Sequence, residues 1–284
     1  MTTFSNESIT IPPNVHQYFE EHVVPLMDKM CGYKLAVSGP ISAGKSTLLQ
    51  ILFNLFNEYK FKVGVLPEYI NSDPHIGSEL LGRFITKKIT NATFQNYILD
   101  VYRESYNNLK LSEHNVIMME RVPDDSILIF ANITNCNTPE DLNEQTLFAL
   151  YCKMLEYDKS CDFPSYIDST TELIDFTGSV EDILIAVMDT IIHDITTGVK
   201  KRIIGLRADI NVCVSRIRRR GRNEEQDYDR SYLQQIIHAY DEIFKIKRLN
   251  TAAKSATQSE QEHTRIDRKY NIRFTNIGKL IDDY

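Results

Sequence analysis

The sequence predicts an α/β fold in which a doubly wound, parallel, five-stranded sheet is flanked by helices. Two observations support this prediction. Short apolar segments alternate along the chain with longer segments of helical periodicity, and strands joined through helices pair in parallel with right-handed crossovers. A glycine-rich loop also follows the first apolar segment and opens a helix, which is where phosphate-binding loops lie in such folds.

Five short segments with strong β character are predicted to be strands. They are KLAVSGP (34–40), KFKVGVLPEY (60–69), NVIMMER (115–121), RIIGLRA (202–208) and NIRFTNI (271–277). The segment STLLQILFNLFNEY (46–59) is predicted to be a helix after the first strand. Because ligands of such sheets bind beyond the carboxyl ends of the strands, the site is expected at that edge.

Length and composition favour one domain that binds small ligands. A chain of 284 residues with 42% hydrophobic content can form a single core, so we expect one domain over 1–284. The net charge of −7 argues against a nucleic-acid polymer as partner, since such proteins need a basic face. No apolar run reaches about 18 residues, so no membrane span is expected.

The cysteines and the first residues point to the cytoplasm. The five cysteines are scattered without the C-x-x-C spacing of a metal or redox site, which is typical of reduced thiols. The first residues contain no basic region followed by an apolar one, so we expect no secretory signal. A cytoplasmic location follows as an expectation.

The stretch VSGPISAGKSTLL (37–49) contains the pattern G-x-x-x-x-G-K-[ST] at Gly39, Gly44, Lys45 and Ser46. The backbone N–H groups of such a loop can surround phosphate, while the lysine and the hydroxyl serve the outer phosphates and Mg²⁺. An ordinary glycine turn is the alternative. The position of the stretch between a predicted strand and a predicted helix favours phosphate binding.

Charged residues end the next two predicted strands. Glu68 follows the second strand, and Glu120 and Arg121 end the third. A carboxylate at this edge can accept a proton from an attacking hydroxyl or hold Mg²⁺, and an arginine can neutralise phosphate charge. The alternative is that these residues are charged because loops are solvated. The sequence leaves both interpretations open.

The segment SRIRRRGRNEEQ (215–226) is the third candidate for phosphate chemistry. If it begins as a helix, Arg216 and Arg220 are four residues apart on one face, and Arg222 follows the turn at Gly221. Arginines on a hinged lid over about 216–226 could close over a polyphosphate. A nuclear-localisation signal, a nucleic-acid patch or a solvated helix face is the alternative, but the acidic residues that follow disfavour a purely basic patch.

Together these motifs resemble the deoxynucleoside kinases, the family of deoxycytidine, deoxyguanosine and mitochondrial thymidine kinases. The resemblance covers roughly residues 33–245 and is most specific in the arginine-rich segment. Its motifs occur in the order of the family: GPISAGKST (39–47), PE (67–68), TFQNY (93–97), ER (120–121) with IFA (129–131), and RIRRRGRNEEQ (216–226) with YLQQI (232–236).

The resemblance implies a P-loop kinase fold with an arginine-rich lid, ATP as phosphate donor and Mg²⁺ as metal. Glu68, Arg121 and Lys45 would be the catalytic residues: Glu68 as the base for the nucleoside 5′-hydroxyl, Arg121 beside the 5′-oxygen and Lys45 on the phosphates. Ser46 and Glu120 would hold Mg²⁺. The residues implied to bind ATP are Gly39, Ser42, Ala43, Gly44, Lys45, Ser46, Thr47, Arg216, Arg220 and Arg222.

The resemblance also implies the contacts of the nucleoside. Gln95 would bind the base edge, Phe94 and Phe130 would pack on its faces, and Glu225 would accept the sugar 3′-hydroxyl. Phe84 stands where the family usually has a tyrosine whose hydroxyl helps to bind the sugar. In addition, VPDDS (122–126) replaces the usual S-x-x-S-D, so Asp124 and Asp125 receive no role.

Two ranges fit the family pattern less well. Residues 155–200 form a longer link than the family would have, and within them SVEDILIAVMDTIIHDI is an amphipathic run expected to be a core helix. The polar range of about 250–268 is expected to be a flexible connection. Members of the family are commonly dimers, so a homodimer is possible.

The sequence therefore predicts an ATP-dependent deoxynucleoside kinase of nucleotide salvage whose partners are small molecules. A nucleoside monophosphate kinase such as thymidylate kinase is one alternative, although the acid Glu68 favours an uncharged hydroxyl acceptor. A nucleotide-binding regulator without turnover is the other. Against the regulator, the chain has no N-K-x-D motif and no D-x-x-G after the third strand.

Overall fold

In the computed structural model, the chain forms two compact units, Met1–Glu242 and Ile243–Tyr284. We expected one domain; the first unit contains the whole sheet and every candidate site residue, and it is described by itself. The residues that the structure describes are 10–109, 113–131, 133, 149–150, 152–154, 156, 161–166, 169–175, 179–222, 225 and 228–256.

A parallel sheet of five strands in the order β2-β3-β1-β5-β4 forms the centre of the first unit. The central strand β1 pairs with β3 on one side and with β5 on the other, so that Ala36 lies opposite both Met119 and Ile203. The strands are β1 (Tyr33–Ser38), β2 (Val63–Leu66), β3 (Val116–Glu120), β4 (Thr170–Asp175) and β5 (Lys201–Arg207).

Helices flank this sheet, as predicted. They are α1 (Pro13–Tyr18), α2 (Lys45–Glu58), α3 (Tyr69–Ser72), α4 (Pro74–Ile85), α5 (Asn91–Asn107), α6 (Pro123–Asp125), α7 (Val180–Thr197), α8 (Ile210–Arg220) and the first part of α9 (Arg230–Ala256), whose residues from Ile243 on belong to the second unit. A π-helical segment (Phe19–Val23) and a 3₁₀ helix (Val24–Lys29) follow α1, and a second π-helical segment (Ser126–Ala131) follows α6. Within the described ranges, no helix is long and apolar enough to cross a bilayer.

One face of the sheet packs against α2, α7 and the N-terminal helical segment. Leu35 and Val37 of β1 are fully buried there, together with Leu52 and Phe56 of α2 and Met188 of α7. All six residues of β1 are buried, which is expected of a central strand covered on both faces. The core therefore holds β1 rigidly, and with it the loop that leaves its carboxyl end.

Helix α7 is the core helix predicted from its amphipathic run. It begins after Ser179, whose Oγ accepts a hydrogen bond from the Asp182 N–H (3.1 Å), and it ends at Gly198, where φ is 80°. These are the ordinary start and stop signals of a helix. Burial of its apolar stripe against the sheet confirms the predicted core role.

Four of the five predicted strands are confirmed as β1, β2, β3 and β5, and the prediction at 271–277 lies outside the described residues. The fifth strand of the sheet is β4, within the range 155–200 that we expected to be a long link. Its sequence TTELID contains only two strongly apolar residues, Leu173 and Ile174, and it pairs only with β5 at the edge of the sheet. An edge strand needs less apolar sequence than a central one, which explains why it was missed.

The flexible connection expected over about 250–268 is wrong for its first residues. Helix α9 continues to Ala256, and the remainder, 257–268, lies outside the described residues. The segment TAAKSA (251–256) is polar but rich in alanine, the best helix former. Helix propensity therefore outweighed the missing apolar periodicity. Of the cysteines, Cys31, Cys152, Cys161 and Cys213 are described, and all four are free thiols.

Candidate active site

The predicted phosphate-binding loop (39–47) connects β1 to α2, as its sequence requires. At Gly39 the φ angle is 145°, and a Cβ atom would lie 2.4 Å from the Leu206 carbonyl oxygen, so no other residue fits there. Gly44 has φ 105° and is followed by Lys45, the first residue of α2. The backbone N–H groups at a helix start are unpaired within the helix and favour an anion. We call residues 39–47 the P-loop below.

Lys45, Ser46 and Glu120 meet at the carboxyl ends of β1 and β3. The Ser46 hydroxyl donates to Glu120 Oε2 (2.7 Å), and Lys45 Nζ lies 3.6 Å from Glu120 Oε1 and 2.8 Å from the Pro40 carbonyl oxygen. Lys45 is only 3% exposed. Burial, followed by the Arg121 charge, lowers the pKa of Lys45 to about 8.

The Ser46–Glu120 pair has the chemistry of a Mg²⁺ site. Both groups present oxygen, the ligand that Mg²⁺ prefers, and Mg²⁺ in phosphoryl transfer takes one or two protein ligands and completes its shell with phosphate and water. The described residues contain no group of three or more His, Cys, Asp or Glu side chains that could hold a metal alone. The donor set therefore fits a metal that arrives with a nucleotide.

Glu68 and Arg121 lie opposite the P-loop lysine. Glu68 follows β2 and precedes the first turn of α3, and its Oε1 lies 3.6 Å from Arg121 Nε. Burial and the nearby charge of Glu120 raise the pKa of Glu68. A mostly buried carboxylate with a raised pKa, next to a cation, is suited to act as a proton acceptor.

Three further contacts hold the guanidinium of Arg121. It donates from Nη1 to the Gly39 carbonyl oxygen (3.0 Å) and to the Tyr240 hydroxyl (2.7 Å), and it lies 4.8 Å from the centre of the Phe130 ring. The arginine is thereby tied to the start of the P-loop. Its charge is fixed where phosphate would lie.

An aromatic wall and a buried amide stand on the far side of Glu68. The rings of Phe84 and Phe94 are stacked, with centroids 4.8 Å apart and an angle of 11° between their planes. Gln95 is 1% exposed and donates from Nε2 to Asn91 Oδ1 (3.1 Å), whereas its Oε1 is buried and accepts no hydrogen bond from the described residues. Such an acceptor is costly unless a ligand donates to it.

Residues 215–220 of the arginine-rich segment form the end of α8, as predicted, and Gly221 with φ 69° terminates the helix; residues 223, 224 and 226 of the segment lie outside the described residues. Arg216 donates to the Ser42 carbonyl oxygen in the P-loop (3.1 Å). Arg220 and Arg222 instead bind the carboxylate of Glu225, in the latter case at 3.3 Å. Glu225 is itself only 5% exposed. One arginine thus reaches the P-loop, and two lie on the acid expected to bind the sugar.

A single cavity of about 720 Å³ brings nearly all of these residues together. Its walls include the predicted residues Ser42, Gly44, Lys45, Ser46, Thr47, Glu68, Phe84, Phe94, Gln95, Glu120, Arg121, Phe130, Arg216, Arg220, Arg222 and Glu225. Gly39 and Ala43 shape the loop and are not among its lining residues. Phosphate-binding groups and aromatic groups therefore face one space.

Comparison with known proteins identifies the family. The family model of the deoxynucleoside kinases matches residues 35–177 and 172–281. The chain belongs to the deoxynucleoside kinase family. A search of curated proteins gives no match.

Two solved structures of deoxyadenosine kinase from M. mycoides are similar to this deoxynucleoside kinase family member. One contains the products dCMP and a flexible dCDP; it is 18% identical, with 75% of this chain and 83% of that chain covered and a TM-score of 0.44. The other contains bound dATP; it is 16% identical, with 77% and 86% covered and a TM-score of 0.42.

Several cavity residues of this family member escaped the sequence analysis. Tyr69, Tyr102 and Ser126 line the cavity, and so do Tyr228 and Tyr232, which follow the arginine-rich segment in the chain. The rings of Tyr228 and Tyr232 are stacked, with centroids 5.6 Å apart. Signals were present for two of them, since Tyr69 directly follows Glu68 and Tyr232 begins the motif YLQQI. Tyr102 had no such signal.

Proposed function

We propose that the protein transfers the γ-phosphoryl group of ATP to the 5′-hydroxyl of a deoxynucleoside in nucleotide salvage. The observation that supports this most is the buried carboxylate of Glu68 on the wall of the cavity that also contains Lys45 and Ser46 of the P-loop. A base and a phosphate-binding loop in one cavity are what transfer to a hydroxyl requires.

The P-loop side would bind and orient the donor. Lys45 would place its charge on the outer phosphates, where the transition state gathers negative charge. Ser46 and Glu120 would hold Mg²⁺, which neutralises phosphate oxygens when it is bound with ATP. Arg216 already bonds to the P-loop backbone and would contact the phosphates from the lid.

Between the two halves of the cavity, Glu68 and Arg121 would act on the reacting atoms. Glu68 would take the proton from the 5′-hydroxyl as the oxygen attacks phosphorus, and the ion pair at 3.6 Å keeps its carboxylate oriented. Arg121 would contact the transferring group. Its anchoring to Gly39 and Tyr240 means that little reorganisation is needed during the reaction.

The acceptor would occupy the aromatic side. Gln95 would bind the edge of the base through its buried oxygen, and Phe94 and Phe130 would contact the faces of the base. Glu225 would accept the sugar 3′-hydroxyl. The stacked Phe84 contributes a ring without a hydroxyl, so Glu225 would carry the charged contact to the sugar.

The two alternatives are less well supported by the same cavity. A nucleoside monophosphate kinase must bind a phosphorylated acceptor, and the buried acid Glu68 would repel that phosphate. A regulator without turnover does not need a proton acceptor such as Glu68 beside its bound nucleotide. The deoxynucleoside kinase family match favours the kinase.

An ADP-release assay with ATP and Mg²⁺ separates the three functions when it includes the four deoxynucleosides and their 5′-monophosphates. We expect ADP release with at least one deoxynucleoside, and chromatography should identify the product as its 5′-monophosphate. Release with monophosphates alone would favour the monophosphate kinase. No release with any acceptor, while ATP binds by calorimetry, would favour the regulator. A Lys45→Met variant controls for contaminating kinases.

A further inference from the structure

A buried acid in the wall of the cavity has no part in the proposed transfer. Asp125 is 1% exposed and ends α6. Its carboxylate accepts hydrogen bonds from the Tyr166 hydroxyl (2.8 Å), from the Val122 N–H (3.2 Å) and from the Ser38 hydroxyl. Ser38 ends β1 directly before the P-loop. One side chain thus joins the P-loop strand, the turn after β3 and the segment around Tyr166.

The turn beside Asp125 holds Arg121 in an unusual backbone conformation. The φ angle of Arg121 is 70°, in the left-handed region that residues other than glycine rarely adopt. The Arg121 N–H donates to the Val37 carbonyl oxygen (2.8 Å), and the next N–H, of Val122, donates to Asp125. Such a conformation persists only where its surroundings enforce it. Asp125 provides one of the enforcing contacts.

The backbone conformation determines where the guanidinium can lie. From this φ angle the side chain of Arg121 reaches Gly39, Tyr240 and Glu68 together. The Asp125 carboxylate also attracts that guanidinium. Burial raises the pKa of Asp125, and the Arg121 charge with the Ser38 and Tyr166 hydrogen bonds opposes the rise by favouring the charged form.

We propose that Asp125 is a positioning residue that fixes Arg121 at the transferring phosphoryl group by holding the turn after β3 against the end of β1. This inference rests on the proposed function, since that function assigns Arg121 to the phosphoryl group. Both carboxylate oxygens are engaged, Oδ1 by Tyr166 and Oδ2 by Val122. An asparagine has one oxygen, so it can accept from the Val122 N–H only with its nitrogen toward the Tyr166 hydroxyl, and it has no charge to attract the Arg121 guanidinium.

A double-mutant cycle with Asp125→Asn and Arg121→Ala tests the proposal. In the wild-type background, Asp125→Asn should lower kcat about 10²-fold, the usual cost of small misplacements at a reacting centre. KM for ATP and for the nucleoside should change by about twofold or less. In the Arg121→Ala background, Asp125→Asn should lower kcat by about twofold or less, because the side chain that Asp125 positions is already absent. Equal losses of kcat in both backgrounds would overturn the proposal.

Asp124→Asn is the matched control. Asp124 is equally buried, but its carboxylate accepts from the Tyr166 N–H (2.5 Å) rather than from the turn at Arg121. Asp124→Asn should lower kcat by the same factor whether residue 121 is arginine or alanine, however large that factor is. Thermal melting checks that each variant folds. If Asp125→Asn does not fold, Tyr166→Phe removes one donor only, and its kcat loss must likewise vanish in the Arg121→Ala background.

The wild-type assay separates the two proposals. If the wild-type protein phosphorylates no deoxynucleoside, the proposed function fails, and the role of Asp125 fails with it. If the wild-type protein is active and Asp125→Asn keeps its kcat within about twofold, only the positioning role fails.

Discussion

Replacing Lys45 by methionine tests how burial and function are linked at the P-loop. Lys45 is 3% exposed, and burial, with the Arg121 charge, lowers its pKa from 10.5 to about 8. Each pKa unit corresponds to about 1.4 kcal/mol, so the charged ammonium costs the folded chain about 3 kcal/mol at neutral pH. The side chain is therefore a stability burden that phosphate binding would relieve.

Methionine keeps much of the volume of lysine and removes the charge, so the protein should become more stable. The relief of about 3 kcal/mol already includes the attraction of Glu120, and against it stands the lost hydrogen bond to the Pro40 carbonyl oxygen, worth about 1 kcal/mol. We expect the free energy of unfolding to rise by about 1–2 kcal/mol at pH 7 and Tm by roughly 2–8 °C. Phosphoryl transfer should be lost, because no other P-loop side chain carries positive charge.

The pH dependence has a defined sign. The folded-state pKa of Lys45 lies below its unfolded value, so the folded chain binds fewer protons between about pH 8 and pH 10.5 and gains stability as pH rises through that window. The advantage of Lys45→Met is therefore complete below about pH 8 and should shrink by about 2 kcal/mol between pH 7 and pH 9.5.

Denaturant unfolding of both proteins at pH 7 and pH 9.5 measures this difference. Lys62→Met is the control, because Lys62 is exposed and its replacement should change the free energy of unfolding by about 0.5 kcal/mol or less at either pH. A Lys45→Met protein that is less stable than wild type at pH 7, or whose advantage persists at pH 9.5, would refute the burial argument. Near wild-type turnover in that variant would remove the P-loop lysine from the mechanism.

Three further predictions concern the proton, the lid and the sugar. Glu68→Gln should lower kcat about 10²–10⁴-fold because an amide cannot take the proton. Since burial raises the pKa of Glu68, kcat/KM of the wild type should decrease as the pH is lowered through a pKa above 4.5. If kcat of the variant stays within a few fold of wild type, Glu68 has a role in binding alone. At least one alanine variant of Arg216, Arg220 and Arg222 should lose about 10³-fold in kcat and less in nucleoside affinity, whereas three unchanged kcat values would make this a solvated helix end. Glu225→Ala should largely erase discrimination against 2′,3′-dideoxynucleosides in kcat/KM, since a hydrogen bond to a charged group contributes about 1.5–3 kcal/mol; equal discrimination in both proteins would show that Glu225 does not bind the sugar.

The central strands and the P-loop were predictable because each is encoded locally. The segment before Gly39 has the apolar residues LAV (35–37) at its centre, as a strand buried on both faces favours, and the glycines of the loop have backbone geometry that other residues avoid. The edge strand β4 has neither signal. Its pairing with β5 depends on the rest of the sheet, and no local pattern announces it.

The candidate site was predictable only where topology determines position. In a parallel sheet the carboxyl ends of neighbouring strands share an edge, so Glu68, Glu120 and Arg121 had to approach the P-loop. The hydrogen bonds of Asp125 were beyond such reasoning, because Ser38 and Tyr166 are distant in sequence and belong to segments whose packing only the structure defines. The family motif S-x-x-S-D could not predict a role for Asp125 either, because VPDDS stands in its place.

Charge balance at the cavity explains why a lid would be needed for the proposed reaction. Lys45 lies beside Glu120, and Arg121 lies beside Glu68 and is attracted by Asp125, so these two cations are already matched by acids. A triphosphate would bring more negative charge to a place that is shielded from water, where unbalanced charge is costly. The additional positive charge has to come from Mg²⁺ and from arginines outside this set.

Arg220 and Arg222 of the proposed lid can supply this positive charge. Their present partner, Glu225, would couple ATP binding to nucleoside binding under the proposed function. Arg220 and Arg222 both bind Glu225, which is almost fully buried. Under the proposed function, arginines that turn to the phosphates leave this carboxylate without its ion pairs, and a buried carboxylate needs a new donor. The 3′-hydroxyl of a deoxynucleoside is such a donor. Binding of ATP would therefore prepare Glu225 for the sugar, and a nucleoside without that hydroxyl would leave the closed lid with an unpaired buried charge.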